Sequence, residues 1–206
     1  MICVIFGGAD MGDDTQVKIP ENAYVIAADS GYRHCLRFGI KPDLILGDFD
    51  SYEDRLPDDC EIFRAPREKD DTDLMLAVKT GFEKGFLTFY IYGADGGRMG
   101  HTIASVQTLA YIESNGGEGV LFGNGFSMRV YGRGNVTLHR NGAKYISVFS
   151  LTDSAEVTEK GFKYSGELRL TYDFPLGVSN EYAEGSDCIT VSTREGALVI
   201  VETVAD

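Results

Sequence analysis

The chain reads as an α/β N-terminal domain with a mainly parallel sheet, followed by an all-β C-terminal sandwich domain. Three observations predict this. Up to about residue 125, short apolar runs alternate with segments of helical spacing, the pattern of a helix-covered parallel sheet. After Gly123-Asn124-Gly125 no helical spacing recurs, and short alternating runs separated by turn residues take over, as in an antiparallel sandwich. The apolar run Leu44 to Leu46 ends in two carboxylates, Asp48 and Asp50, and open α/β sheets bind ligands beyond the carboxyl ends of their strands. The expected domains are residues 1–125 and 126–206.

The elements follow in order. Ile2–Phe6 is a short apolar run closed by Gly7-Gly8, and Tyr24–Ala28 is another, ending at Asp29. Gly31 to Phe38 has helical character and stops at Gly39, a residue suited to a left-handed helix end. Leu44–Leu46 is a buried strand, and Glu61–Arg64 a weaker one. Asp70 or Asp71 can cap a helix reaching about Lys84, with Leu74, Ala77, Val78 and Phe82 on one face. Leu87–Tyr92 is a β-rich run. Met99 to Ser114 has helical spacing through Ile103, Val106, Leu109 and Ala110, and Val120–Phe122 closes the series. The second half supplies strands at Met128–Tyr131, Val136–His139, Tyr145–Phe149, Leu168–Tyr172, Cys188–Val191 and Leu198–Val201.

Composition narrows the function classes. A net charge of -13 argues against bulk attraction to nucleic acid or anionic lipid, because neutralising phosphates needs a basic surface. An anionic substrate therefore needs a metal or a few local arginines as mediator. The cysteines, Cys3, Cys35, Cys60 and Cys188, form no CxxC pair and suit free thiols in a reducing compartment. The N-terminus lacks a basic leader, and no apolar run reaches the length of a membrane span. The expectation is a cytoplasmic enzyme or binding protein.

Four places can carry chemistry. If their strand continues, Asp48 and Asp50 project to the same side, and a cation relieves their repulsion. The same residues also suit an Asx-type turn. A second acidic cluster, Lys69-Asp70-Asp71-Thr72-Asp73, sits at a helix start, where carboxylates offset the macrodipole. Two acidic clusters in one domain point to a hard cation with oxygen ligands, of which Mg²⁺ with a polyphosphate is the usual case. Asp73 is the candidate there, and Lys69 is placed to meet a phosphate. Gly93-Ala94-Asp95-Gly96-Gly97-Arg98 joins a strand to a helix, so backbone N–H groups and the Arg98 fork can receive an anion. It is neither a Walker A nor a GxGxxG fingerprint, and His101 beyond it has no catalytic partner recognisable by spacing. Ser179 and Asn180, in Gly177-Val178-Ser179-Asn180-Glu181, can hydrogen-bond a neutral heterocycle or simply make a turn.

Taken in order, these motifs resemble the thiamin pyrophosphokinase family. The matching pieces are Ala28-Asp29-Ser30-Gly31, the long run from Gly39-Ile40-Lys41-Pro42-Asp43 to Gly47-Asp48-Phe49-Asp50-Ser51, Lys69 to Leu74, Gly93 to Thr102, and Gly177 to Glu181. The resemblance implies a Mg²⁺-dependent homodimer, with its active site near the subunit interface, that moves the terminal diphosphate of ATP to the hydroxyethyl oxygen of thiamin. It further implies that Asp48, Asp50 and Asp73 act in catalysis and bind or surround Mg²⁺. Asp29, Lys69, Arg98 and His101 would lie near the nucleotide, and Ser179 and Asn180 would meet the aminopyrimidine. Lys69 stands where some relatives carry glutamine. One position departs: the family usually reads Gly-Gly-Arg-x-Asp-His, and this chain has Gly100 in place of that Asp. Diphosphate transfer to another heterocyclic alcohol, such as a hydroxymethylpterin, and a non-catalytic thiamin or nucleotide sensor are the alternatives.

Overall fold

A computed structural model describes residues 1–13, 15–49, 56–66, 68 and 70–204. It divides into two compact units, 1–124 and 125–206.

The described residues of the first unit form six strands: β1 (Ile2–Phe6), β2 (Tyr24–Ala28), β3 (Leu44–Gly47), β4 (Glu61–Arg64), β5 (Thr88–Tyr92) and β6 (Glu118–Gly123). They pair in the order β4-β3-β2-β1-β5-β6, and every pairing is parallel. The helices are α1 (Tyr32–Phe38), α2 (Asp73–Glu83) and α3 (Met99–Ser114). Both faces of the sheet are covered. Val4, Phe6, Val25 and Ala27 share a core with Tyr32 and Cys35 of α1. On the other face Gly81 of α2 sits so close that a Cβ there would come within 2.5 Å of the Phe89 ring. Burial on both faces explains why β1, β2 and β3 read as continuous apolar runs rather than alternating ones.

Local chemistry sets the helix ends. Gly39 closes α1 with φ 65, a left-handed angle that glycine takes without steric cost. Thr72 caps α2, its hydroxyl accepting from the Met75 N–H at 3.1 Å, so neither Asp70 nor Asp71 has the expected capping role. Asp71 instead accepts from Lys79 Nζ at 2.7 Å. The buried face of α3 is Ser105, Thr108, Leu109 and Ile112, and the expected Ile103 is 57% exposed. Two hydroxyls can face inward because each is satisfied locally: Ser105 donates to the Ala94 carbonyl at 2.6 Å and Thr108 to the Ala104 carbonyl at 2.9 Å.

In the second unit β7 (Phe126–Tyr131), β13 (Leu198–Thr203) and β9 (Tyr145–Ser150) pair antiparallel. A four-stranded antiparallel sheet runs β11 (Gly166–Thr171), β10 (Ser154–Lys160), β12 (Cys188–Glu195), β8 (Gly134–His139). Ile146, Val148, Ala155, Val157, Phe162, Ile189, Val191 and Ile200 fill one core between these strands. No helix occurs among the described residues of this unit. Strand β10, Ser-Ala-Glu-Val-Thr-Glu-Lys, is absent from the sequence-based expectation. Its inward positions are Ala155, Val157 and Glu159, too weakly apolar to register as alternation. Among the described residues no helix is long and apolar enough to cross a membrane.

Candidate functional site

Strand order reverses direction at β1. From β1 the chain builds outward through β2, β3 and β4 on one side, then returns to β5 and β6 on the other. Loops leaving β1 and β5 therefore part at this switch point and leave a crevice beyond the strand carboxyl ends. A cleft of about 400 Å³ occupies it, within the usual size range of small-molecule sites.

Five segments line the cleft. Gly7, Gly8 and Ala9 follow β1; Asp29 and Ser30 follow β2; Thr72, Asp73 and Leu74 open α2. Gly93 and Ala94 follow β5, and Gly96, Gly97, Arg98 and His101 lead into α3. The two glycine turns lock together. The Gly7 N–H donates to the Tyr92 carbonyl and the Ala9 N–H to the Gly93 carbonyl, both at 2.8 Å. A Cβ on Gly93 would lie 2.5 Å from the Gly7 oxygen, and Gly93 has φ 61. Only glycine satisfies both conditions.

The cleft offers both signs of charge. Arg98 stands at the N-cap of α3 with no side-chain cap hydrogen bond, so the first turn of a 16-residue helix presents backbone N–H groups beside a guanidinium. Asp73, in the first turn of α2, and Asp29 bring carboxylates to the same space. Asp29 is held at φ 49, and its Oδ1 is buried. Burial also raises the pKa of Asp95, in the glycine loop, against backbone hydrogen bonds that lower it.

Sequence-predicted residues divide accordingly. Asp29, Asp73, Arg98 and His101 come together in the cleft. Asp48 is half-buried and follows Gly47, whose Cβ position is 3.0 Å from the Asp29 Cα, so the end of β3 abuts the Asp29 turn. The period-two argument for Asp48 and Asp50 does not hold: β3 ends at Gly47, and Phe49 has φ 59, which breaks extended geometry. Asp50 and Lys69 lie outside the described residues. Gly7 and Gly8 were not assigned to a site from sequence, though the glycine pair closing β1 was their signal; Ser30 appeared only within the Ala28–Gly31 motif, with no role assigned.

In the second unit, Ser179 is exposed with φ 56, and its N–H donates to Ser147 Oγ at 3.0 Å. Asn180, the other residue expected at the ligand, is hydrogen-bonded within the unit. Its Nδ2 donates to Glu159 Oε2 (3.2 Å) and to the Tyr164 carbonyl (2.8 Å), while its Oδ1 accepts from the N–H groups of Tyr164 (3.2 Å) and Glu181 (3.0 Å). Both donors and both acceptor sites of the amide are thus met within the unit.

Two family models match in the same order as the two units: the catalytic domain of thiamin pyrophosphokinase over residues 16–120, and its vitamin B1 binding domain over residues 135–198. The chain belongs to the thiamin pyrophosphokinase family. A thiamine pyrophosphokinase of Bacillus subtilis is 28% identical over 193 residues, covering 89% of this chain and 88% of the relative. A crystal structure of the Bacillus subtilis thiamine pyrophosphokinase superposes with a TM-score of 0.89 at 25% identity, covering 100% of this chain and 99% of that one. That of the Geobacillus thermodenitrificans protein gives 0.87 at 25% identity with the same coverage.

Membership in the family implies a metal cofactor, and the expectation from sequence is Mg²⁺. Among the described residues no group of three or more His, Cys, Asp or Glu stands close enough to hold a metal alone. That donor set still fits Mg²⁺, which is commonly held by one or two carboxylates plus substrate phosphates and waters. Gly100, at the family's usual Asp position, is open: a Cβ there would meet nothing within 4 Å. Gly100→Asp should raise Tm by about 1–4 °C, since it adds a first-turn carboxylate (~0.3–1 kcal/mol) while glycine and aspartate differ little in helix propensity. Diphosphate transfer should be preserved or raised. A stable variant with sharply reduced activity on ATP, GTP and CTP would show that the position has diverged.

Proposed function

We propose that this chain transfers diphosphate from ATP to the hydroxyethyl group of thiamin, giving thiamin diphosphate and AMP. The observation that carries this reading is the switch-point cleft of about 400 Å³, which two glycine turns and the first turns of α2 and α3 surround. The ordered match of both family models supports it.

The reaction needs the thiamin hydroxyl oxygen to bond to the β-phosphorus of ATP. The bond from that phosphorus to the α–β bridging oxygen breaks, AMP leaves with the electron pair, and the hydroxyl proton is released. Positioning and charge stabilisation supply most of the catalysis in such transfers. Arg98 and the N–H groups of the glycine loop and α3 hold phosphate oxygens. Asp73, Asp48 and Asp29, with Asp50 on sequence grounds, are the carboxylates that would hold Mg²⁺. When bound, the metal neutralises phosphate charge that this acidic chain otherwise repels. Lys69 and His101 are assigned to the nucleotide side, and Ser179 to the aminopyrimidine.

The chain is further assigned to the cytoplasm, where ATP is supplied, and to a homodimer with the active site near the subunit interface. A run of exposed apolar side chains, Tyr172, Phe174, Leu176 and Val178, with Tyr164 beside it in type, supports a partner surface on the second unit.

Incubating the pure protein with ATP, Mg²⁺ and thiamin should yield AMP and thiamin diphosphate in equal amounts. ADP as product, or transfer to a hydroxymethylpterin in preference to thiamin, would overturn the assignment; tight binding without turnover would mark a sensor. Ser179→Ala should raise the KM for thiamin with little change in ATP kinetics. If ATP affinity falls while thiamin affinity holds, the roles of the two units are reversed.

A further inference from the structure

Glu159 is the most unusual side chain of the second unit. It takes an inward position on β10, in line with Ala155 and Val157, and is 2% exposed. Its register partners are Val191 on β12 and Gly166 on β11, neither of which offers a polar side chain. Glu202, also a buried carboxylate, is bound by Arg129 and by Asn141 Nδ2 at 3.2 Å. Glu159 instead accepts from a neutral amide, Asn180 Nδ2, at 3.2 Å. A carboxyl in such a place is costly unless its hydrogen bond is needed.

What the bond holds is the segment carrying Ser179. The Val148 N–H donates to the Gly177 carbonyl at 2.9 Å, and a Cβ on Gly177 would fall 1.9 Å from the Val148 oxygen. Asn180 and Ile146 exchange backbone hydrogen bonds at 2.9 and 2.8 Å. Ser179 stands between these two anchors in a left-handed conformation, sparsely populated by non-glycine residues and kept only when its surroundings impose it.

We propose that Glu159 is a positioning residue for the acceptor: by locking the Asn180 amide it keeps Ser179 outward, where it meets thiamin. The inference rests on the function proposed above. It gives the buried carboxyl a task performed through Asn180, without contact to substrate.

Burial pushes the Glu159 carboxyl up to about 7 from 4.5, against the Asn180 hydrogen bond, which lowers it. Ala155 and Val157 share its face of β10, its register partners are Val191 on β12 and Gly166 on β11, and Asn180 donates to it. The charged pair Lys163–Glu181, at 3.1 Å, flanks Asn180 and is largely exposed. The ionised carboxylate is the stronger acceptor, so Asn180 is held more firmly above pH ~7.

Steady-state kinetics on the full chain, with wild type, Glu159→Gln and Glu159→Val, test this. Glu159→Val suits a strand interior but leaves the Asn180 donor unmet, so KM for thiamin should rise ~10-fold. kcat and the ATP KM should change less than about twofold, and Tm should hold or rise. Glu159→Gln should restore thiamin KM to within about threefold of wild type. It should also abolish the fall in thiamin KM expected of wild type between pH ~6 and ~8. A Val variant with wild-type thiamin KM, a joint rise in thiamin and ATP KM, or a Gln variant with the full wild-type pH slope would each overturn the inference. Wild-type protein that makes no thiamin diphosphate would sink the proposed function itself, a distinct outcome.

Discussion

Asp73→Asn and Asp48→Asn are each expected to lower kcat at least ~100-fold, the usual loss when a group acting on developing charge is removed. Asp73 opens α2 and lines the cleft beside Asp29, while Asp48 follows the end of β3 that abuts the Asp29 turn. Neutralising either removes a candidate oxygen ligand from a site that has few. The change is isosteric, and the N-cap of α2 is Thr72, so the helix start survives. Tm should therefore move by no more than a few degrees. Raising Mg²⁺ tenfold should recover part of the lost rate if the carboxylates act through the metal. Near-normal kcat in both variants at ordinary Mg²⁺ would remove these residues from the mechanism. Asp50→Asn belongs to the same series on sequence grounds.

The cleft was legible in the sequence where the backbone chemistry was local. Glycine pairs after apolar runs, and carboxylates at a strand end and a helix start, mark loops at the carboxyl edge of a parallel sheet whatever the tertiary detail. Other features depend on contacts remote in sequence. Thr72 and not Asp71 caps α2 because Asp71 is engaged by Lys79, one helical stretch away. The sequence left Asn180 as either a ligand group or ordinary turn chemistry, because its partners Glu159 and Tyr164 come from other segments. Strand β10 escaped for the same reason. A glutamate at an inward position reads as a surface residue until the amide that accepts its burial is known. The polar inner face of α3 is a further case, since buried Ser105 donates to the Ala94 carbonyl outside the helix as well as to the His101 carbonyl within it.

Gly93→Ala should be a strongly damaging single-methyl change in the first unit. The residue has φ 61, where an L side chain costs roughly 1–2 kcal/mol. Its Cβ would also press on the Gly7 oxygen at 2.5 Å and the Ala9 oxygen at 3.2 Å, both of them backbone atoms that cannot swing aside. Overpacking of this kind costs a further ~1–3 kcal/mol. Together these predict a loss of roughly 2–5 kcal/mol, and a Tm lower by about 5–15 °C at the slope expected for a chain of this size. The two turns that would separate are those that line the cleft, so ATP affinity should fall with stability, even well below Tm. Gly100→Ala is the matched control, because its Cβ meets nothing within 4 Å and a helix glycine is lost. Melting curves and ATP-binding calorimetry on both proteins decide the matter. A Gly93→Ala protein that melts and binds ATP like wild type would mean that the two glycine turns do not set the shape of the cleft.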